Sequence, residues 1–94
     1  MTSVWKFPLR VTDVLEVEMP KGAQILQVGT AKARPCLWAL VDEHSPTVVR
    51  RLRLTATSEP IPDHLPEWKF IGSVLVGPHD CHLWDLGEVE SGES

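Results

Sequence analysis

Three groups of residues in this chain carry side chains able to do chemistry. The first is His79-Asp80-Cys81-His82. His79 and Cys81 lie two apart and share one face of an extended strand. Cys36 or His44 would have to join them to complete a zinc tetrahedron. The chain holds no CxxC, no HxxxH and no second close pair of ligands, and closed zinc sites show such pairs. The expectation is a turn histidine, a buried thiol and a half-exposed strand histidine, with no metal and no cofactor. Cys81 and His82 do not make a nucleophile and base either, because adjacent strand residues point to opposite faces. Cys36 sits in a strongly apolar run, where burial raises a thiol's pKa and makes it inert. No GxSxG, P-loop or GxGxxG occurs. Catalysis is therefore not expected.

The second group is Arg50, Arg51 and Arg53. Arg51 and Arg53 share a strand face and Arg50 takes the other. Paired guanidiniums fork onto phosphate or carboxylate oxygens. The competing reading, which is favoured, is a solvated strand face paired with acids such as Glu16 and Glu18 across a sheet. The third group is the tryptophans: Trp5, Trp38, Trp68 and Trp84, in a chain with no tyrosine. Trp5 and Trp38 sit in strongly patterned segments and are expected in the core. Trp68 adjoins a proline-rich stretch and Trp84 is near the end of the last strand, so either can wall a ligand or anchor an interface. Arg51, Arg53, Trp68 and Trp84 are the candidate ligand-binding set.

The elements that must position these residues read as strands. Trp5, Phe7, Leu9 and Val11 alternate with Lys6, Pro8 and Arg10, and Pro8 sends that strand to a sheet edge. Leu15, Val17 and Met19 alternate with Glu16 and Glu18 before Pro20-Lys21-Gly22 turns the chain. Residues 24–30 form a weaker strand. Cys36 to Val41 is apolar on both faces and reads as a central strand covered on both sides, with a helix as the alternative. Residues 47–57 alternate Leu52, Leu54 and Ala56 against Arg51, Arg53 and Thr55. Residues 58–66, SEPIPDHLP, hold three prolines and make a long candidate functional loop. Strands over 67–76 and 81–86 flank a Gly77-Pro78-His79-Asp80 turn. The expected fold is all-β: about seven short, mainly antiparallel strands in a small sandwich or barrel. Residues 1–86 make one domain, and residues 87–94 a disordered acidic tail.

Charge narrows the partner classes. The net charge is −4, but Glu88, Glu90 and Glu93 supply three of the 13 acids, which leaves ten against nine bases. A nearly neutral domain is not a nonspecific nucleic-acid binder. No apolar run approaches the length of a membrane helix, and MTSVWKFPLR has no signal-peptide pattern. The two cysteines, Cys36 and Cys81, are expected as reduced, buried thiols. A domain of 94 residues has a thin margin of stability and gains from association, so a homo-oligomer is expected.

Several blocks resemble a family of small tailed-phage proteins of unassigned function: VWKFPLRVTDV, EMPKGAQIL, PCLWALVD, EPIPD, FIGSV and HLW. They span roughly residues 4 to 84. The resemblance implies a bacteriophage origin and an all-β or β-dominated fold; with the signal-peptide pattern and membrane run missing, the expected location is the host cytoplasm. It supplies no catalytic residues. The leading expectation is a non-enzymatic counter-defence protein that sequesters a small anionic nucleotide signal. The alternatives are a module that inhibits or recruits a host protein, through a strand edge or the 58–66 loop, and a minor virion or assembly component.

Overall fold

The computed structural model describes residues 1–62 and 68–89. Seven strands follow in chain order: β1 (Thr2–Pro8), β2 (Val14–Pro20), β3 (Gln24–Ala31), β4 (Arg34–Asp42), β5 (Thr47–Ala56), β6 (Lys69–Val76) and β7 (His79–Val89). All pairings are antiparallel. They build a three-stranded sheet, β1-β4-β3, and a four-stranded sheet, β2-β5-β7-β6. The result is a small β-sandwich, with no helix among the described residues. Cys36 to Val41 is thus strand, in the centre of its sheet, and Pro8 does lie on an edge strand.

Period-2 alternation sets the core. Leu37, Ala39 and Val41 face inward from β4, Leu52 and Leu54 from β5, and Cys81 and Leu83 from β7. Leu15 and Met19 join them from β2. The core is therefore aliphatic, and none of the tryptophans belongs to it. Trp5 corrects the sequence reading: it pairs with Ala39 on the inward side of β1 but keeps 40% of its surface exposed. The strand it rides on is an edge, so nothing stands beyond it to close over the ring. Trp38 faces the other way, half-buried on the outer side of β4, where it packs against Gly29. The expected second cover over β4 is also absent among the described residues, and Leu40 remains 36% exposed.

Turn chemistry fixes the hairpins. Val76 pairs with His79, so the β6–β7 turn is Gly77-Pro78 alone. Gly77 has φ +61 as its first central residue, the requirement of a type II′ hairpin, and proline's fixed negative φ suits the second. The β3–β4 turn, Lys32-Ala33, takes positive φ at both residues (51° and 65°) without a glycine. That pair has none of the Asn-Gly signal usual in such turns.

The last strand exceeds the expected 81–86 at both ends. Gly87, Glu88 and Val89 pair with Arg51, Arg50 and Val49, so the acidic stretch after Leu86 begins as sheet. Residues 90–94 of the expected tail, 63–66 of the proline-rich stretch and residue 67, the expected start of the strand over 67–76, lie outside the described residues.

Candidate functional site

The outer face of the four-stranded sheet carries most of the candidate residues. One row crosses all four strands: Val14 on β2, Arg53 on β5, Trp84 on β7 and Phe70 on β6. Trp68, just before β6, folds onto this row. Its ring centroid lies 6.1 Å from that of Trp84, and the Arg53 guanidinium sits 5.5 Å from its own ring. Phe70 meets Trp84 edge-on at 5.2 Å. The Trp84 indole N–H donates to Thr55 Oγ1 at 3.0 Å. So Arg53, Trp68 and Trp84 do come together.

They are already partnered within the chain. Arg53 Nη2 donates to Glu59 Oε2 at 3.2 Å, while Glu59 Oε1 accepts the Ala56 N–H at 2.9 Å. Arg53 Nε is buried without a hydrogen-bond partner among the described residues. Its guanidinium instead faces the π-cloud of Trp68. The cluster thereby pins the start and the end of the β5–β6 connection to the sheet. Arg51 stands apart, in an exposed pair with Glu16 at 2.9 Å, which is the cross-strand pairing the sequence favoured. What stays open on this face is apolar: Phe70 is 53% exposed, Leu75 63% and Val14 52%.

A second polar cluster lies at one end of the sandwich, and it contains Arg50, the member of the Arg50, Arg51 and Arg53 group left outside the candidate set. Arg50 and Asp85 are nearly buried, with side chains 13% and 9% exposed. Arg50 Nε and Nη2 fork onto the two Asp85 oxygens at 3.0 and 2.7 Å, and Nη1 donates to the Ala23 carbonyl at 2.9 Å. Glu88 adds a carboxylate oxygen 3.8 Å from Nη1 and accepts the Gly22 N–H. Burial by itself pushes the Asp85 pKa up. The Arg50 hydrogen bonds, the Gly87 N–H and the Arg50 charge outweigh it and hold the carboxyl below its ordinary value. The Asp85 hydrogen bonds raise Arg50 further.

Three bulges surround this ion pair. The extra residues are Leu26 in β3, Ile71 in β6 and Leu86 in β7. Bulges re-aim side chains, and here they open a polar groove of about 350 Å³ between β3 and β6. Gln24, Lys69, Phe70, Arg50 and Asp85 line it. The sequence did carry a signal for the pair. Arg50 is in phase with inward Leu52 and Leu54, and Asp85 with inward Cys81 and Leu83. Opposite charges in the inward phase of two strands must meet or pay heavily.

His82 also gains partners that its sequence neighbours did not suggest. It points outward, away from buried Cys81, with Thr57 Oγ1 2.9 Å from Nε2 and Ser73 Oγ 2.8 Å from Nδ1. Thr57 Oγ1 donates its only proton to the Asp80 carbonyl, so it accepts from Nε2–H. In the neutral ring Nδ1 accepts the Ser73 hydroxyl. The relay staples β6, β7 and the end of β5 on the surface. Cys36 and Cys81 are both free and buried, and burial pushes the Cys81 thiol up, helped by Asp80 and Glu59. No three His, Cys, Asp or Glu side chains gather in a metal-binding group among the described residues.

A family profile described as Domain of unknown function (DUF7352) matches residues 1–93. No curated protein and no solved structure matches the chain.

Proposed function

We propose, for a chain that belongs to the DUF7352 family of unknown function, that the domain is a non-enzymatic binding module whose partner is a protein. The observation that supports this reading is the outer face of the four-stranded sheet. Phe70, Leu75 and Val14 are exposed on one rigid face, around the half-buried rings of Trp68 and Trp84. The arginines of that face are matched by Glu16 and Glu59. Apolar, aromatic surface with neutralised charge suits a protein interface better than a polyanion. In a phage, the partner would be a host protein met in the host cytoplasm.

The test is affinity purification of the full chain from infected cells beside a Phe70→Ser, Leu75→Ser double variant. A stoichiometric protein should accompany the wild type and be lost from the variant. Equal recovery with both forms would reject this face as the working surface.

A second reading is sequestration of a small anionic nucleotide, as a counter-defence protein would do. The convergence of Arg53, Trp68 and Trp84 favours it, since an aromatic surface beside a guanidinium can stack a base. Calorimetry against cyclic dinucleotides and ADP-ribose derivatives decides it. Heat that disappears in Trp68→Ala supports the reading, and no heat with any member at high protein concentration dismisses it.

A further inference from the structure

The sandwich has four strand edges, and they are not equally protected. β3 and β6 face each other across the seam, where a Cβ on Gly72 would lie 3.1 Å from Val28 Cγ1. Each is also bulged, at Leu26 and Ile71. β2 presents Val14, Glu16 and Glu18 along its free side. Odd-numbered β2 residues bond to β5, as the Leu54 N–H to Asp13 carbonyl and Lys21 N–H to Pro46 carbonyl bonds show. A second β2 centred on that edge would set Glu16 against Glu16, which is repulsive. Pro20 removes a further donor. That leaves β1.

The hydrogen bonds fix which β1 groups are free. Leu9 N–H donates to the Pro35 carbonyl and Glu43 N–H to the Met1 carbonyl, so odd-numbered residues pair with β4. The main-chain groups of Thr2, Val4 and Lys6 therefore point away from the sheet, and no described strand pairs with them. Val4 is 55% exposed on the outer face beside its cross-strand partner Leu40. The N-terminal end of the strand is anchored: Ser3 Oγ donates to Glu43 at 2.8 Å, and the terminal ammonium lies 3.8 Å from Asp42.

We propose that β1 pairs antiparallel with β1 of a second copy, about a two-fold axis through Val4. Four registers can be weighed by what they place opposite. Centring on Lys6 sets two ammonium groups together. Centring between Val4 and Lys6 sets Thr2 against Pro8, which has no N–H to donate. Centring between Thr2 and Val4 shortens the pairing. Centring on Val4 pairs Thr2 with Lys6, Val4 with Val4, and Lys6 with Thr2, and leaves Pro8 outside the paired residues.

This last register forms about six main-chain hydrogen bonds and joins the two three-stranded sheets into one of six strands. It lines up Leu40, Val4, Val4 and Leu40 in one apolar row. It also sets Ser3 beside Trp5 on the inner side, covering the indole that the edge leaves open. The contact is isologous and closes as a dimer, with no free β1 edge left to extend it. Its surface is separate from Phe70 and Leu75, so it stands or falls independently of the proposed partner face.

Sedimentation equilibrium of the full chain tests it. The wild type should reach twice the chain mass. Val4→Lys places like charges on the axis and should weaken the dimer by about a hundredfold. Val4→Pro should do the same by deleting an outward N–H that makes no bond within the chain. Unchanged near-ultraviolet circular dichroism will show that each variant folds. Under mild oxidation Val4→Cys should cross-link to itself, whereas Lys6→Cys, which faces Thr2, should not. A wild type that stays monomeric to millimolar concentration, or a dimer that survives Val4→Lys, overturns the proposal. Cross-linking of Lys6→Cys in preference to Val4→Cys overturns the register.

Discussion

On one side of the sandwich β3 and β6 lie against each other, and a buried ion pair ends the seam. On the other side β1 and β2 stand apart at their free edges, with a depression of about 610 Å³ along β2 and the end of β1. The closed side has spent its polar groups on itself: Arg50, Asp85, Glu88 and the backbone of Gly22 and Ala23 satisfy one another. The open side keeps main-chain donors and acceptors facing out, beside exposed Val4 and Trp5. The difference separates what holds this domain together from what it offers to others. Arg50 and Arg51 show the same contrast one residue apart. Both pair with a carboxylate, but one pair is nearly buried and the other is in water.

The largest expected effect is at the closed side. Asp85→Ala leaves the Arg50 charge buried beside only the more distant Glu88, and should destabilise the domain by about 3–5 kcal/mol in denaturant unfolding. The same pair sets an acid limit. Asp85 has a folded pKa below its unfolded one, so its contribution is complete above about pH 4 and is lost as pH falls through the lower folded value. Stability measured against pH should drop in that window for the wild type and be flatter there for the variant.

Gly72→Val probes the seam itself. The new side chain must push Val28, whose branched end has little freedom, and the expected cost is about 1–3 kcal/mol in thermal unfolding. The smallest effect belongs to the exposed pair. Arg51→Ala breaks the contact to Glu16 and should change stability by about 0.5 kcal/mol or less. A cost near that of Asp85→Ala would erase the distinction between the two arginines.

Alternation made the strands legible, because the side-chain period of a strand is two whatever it packs against. The aliphatic core followed from it: Leu15, Met19, Leu52, Leu54 and Leu83 sit where their phase puts them. So did the edge position of β1, from the missing N–H of Pro8, and the opposite facing of Cys81 and His82. The candidate site was legible in part. Arg53, Trp68 and Trp84 converge, but Arg51 does not join them.

Other features needed the third dimension. Trp5 has the phase of a core residue, yet burial requires a neighbour on its far side, and an edge strand lacks one. The Arg50–Asp85 pair joins residues 35 apart. The serine that meets His82 lies on another strand, aligned only by register. The three bulges shift that register by one residue each, which no local pattern records. The sequence by itself determined which residues alternate, where the chain turns and which side of each strand is apolar, since those depend on near neighbours. Beyond β1, whose edge position Pro8 marked, only the tertiary structure decided which strands became edges, which inward charges found each other and which apolar surface stayed open. Those properties depend on strands far apart in the chain coming side by side.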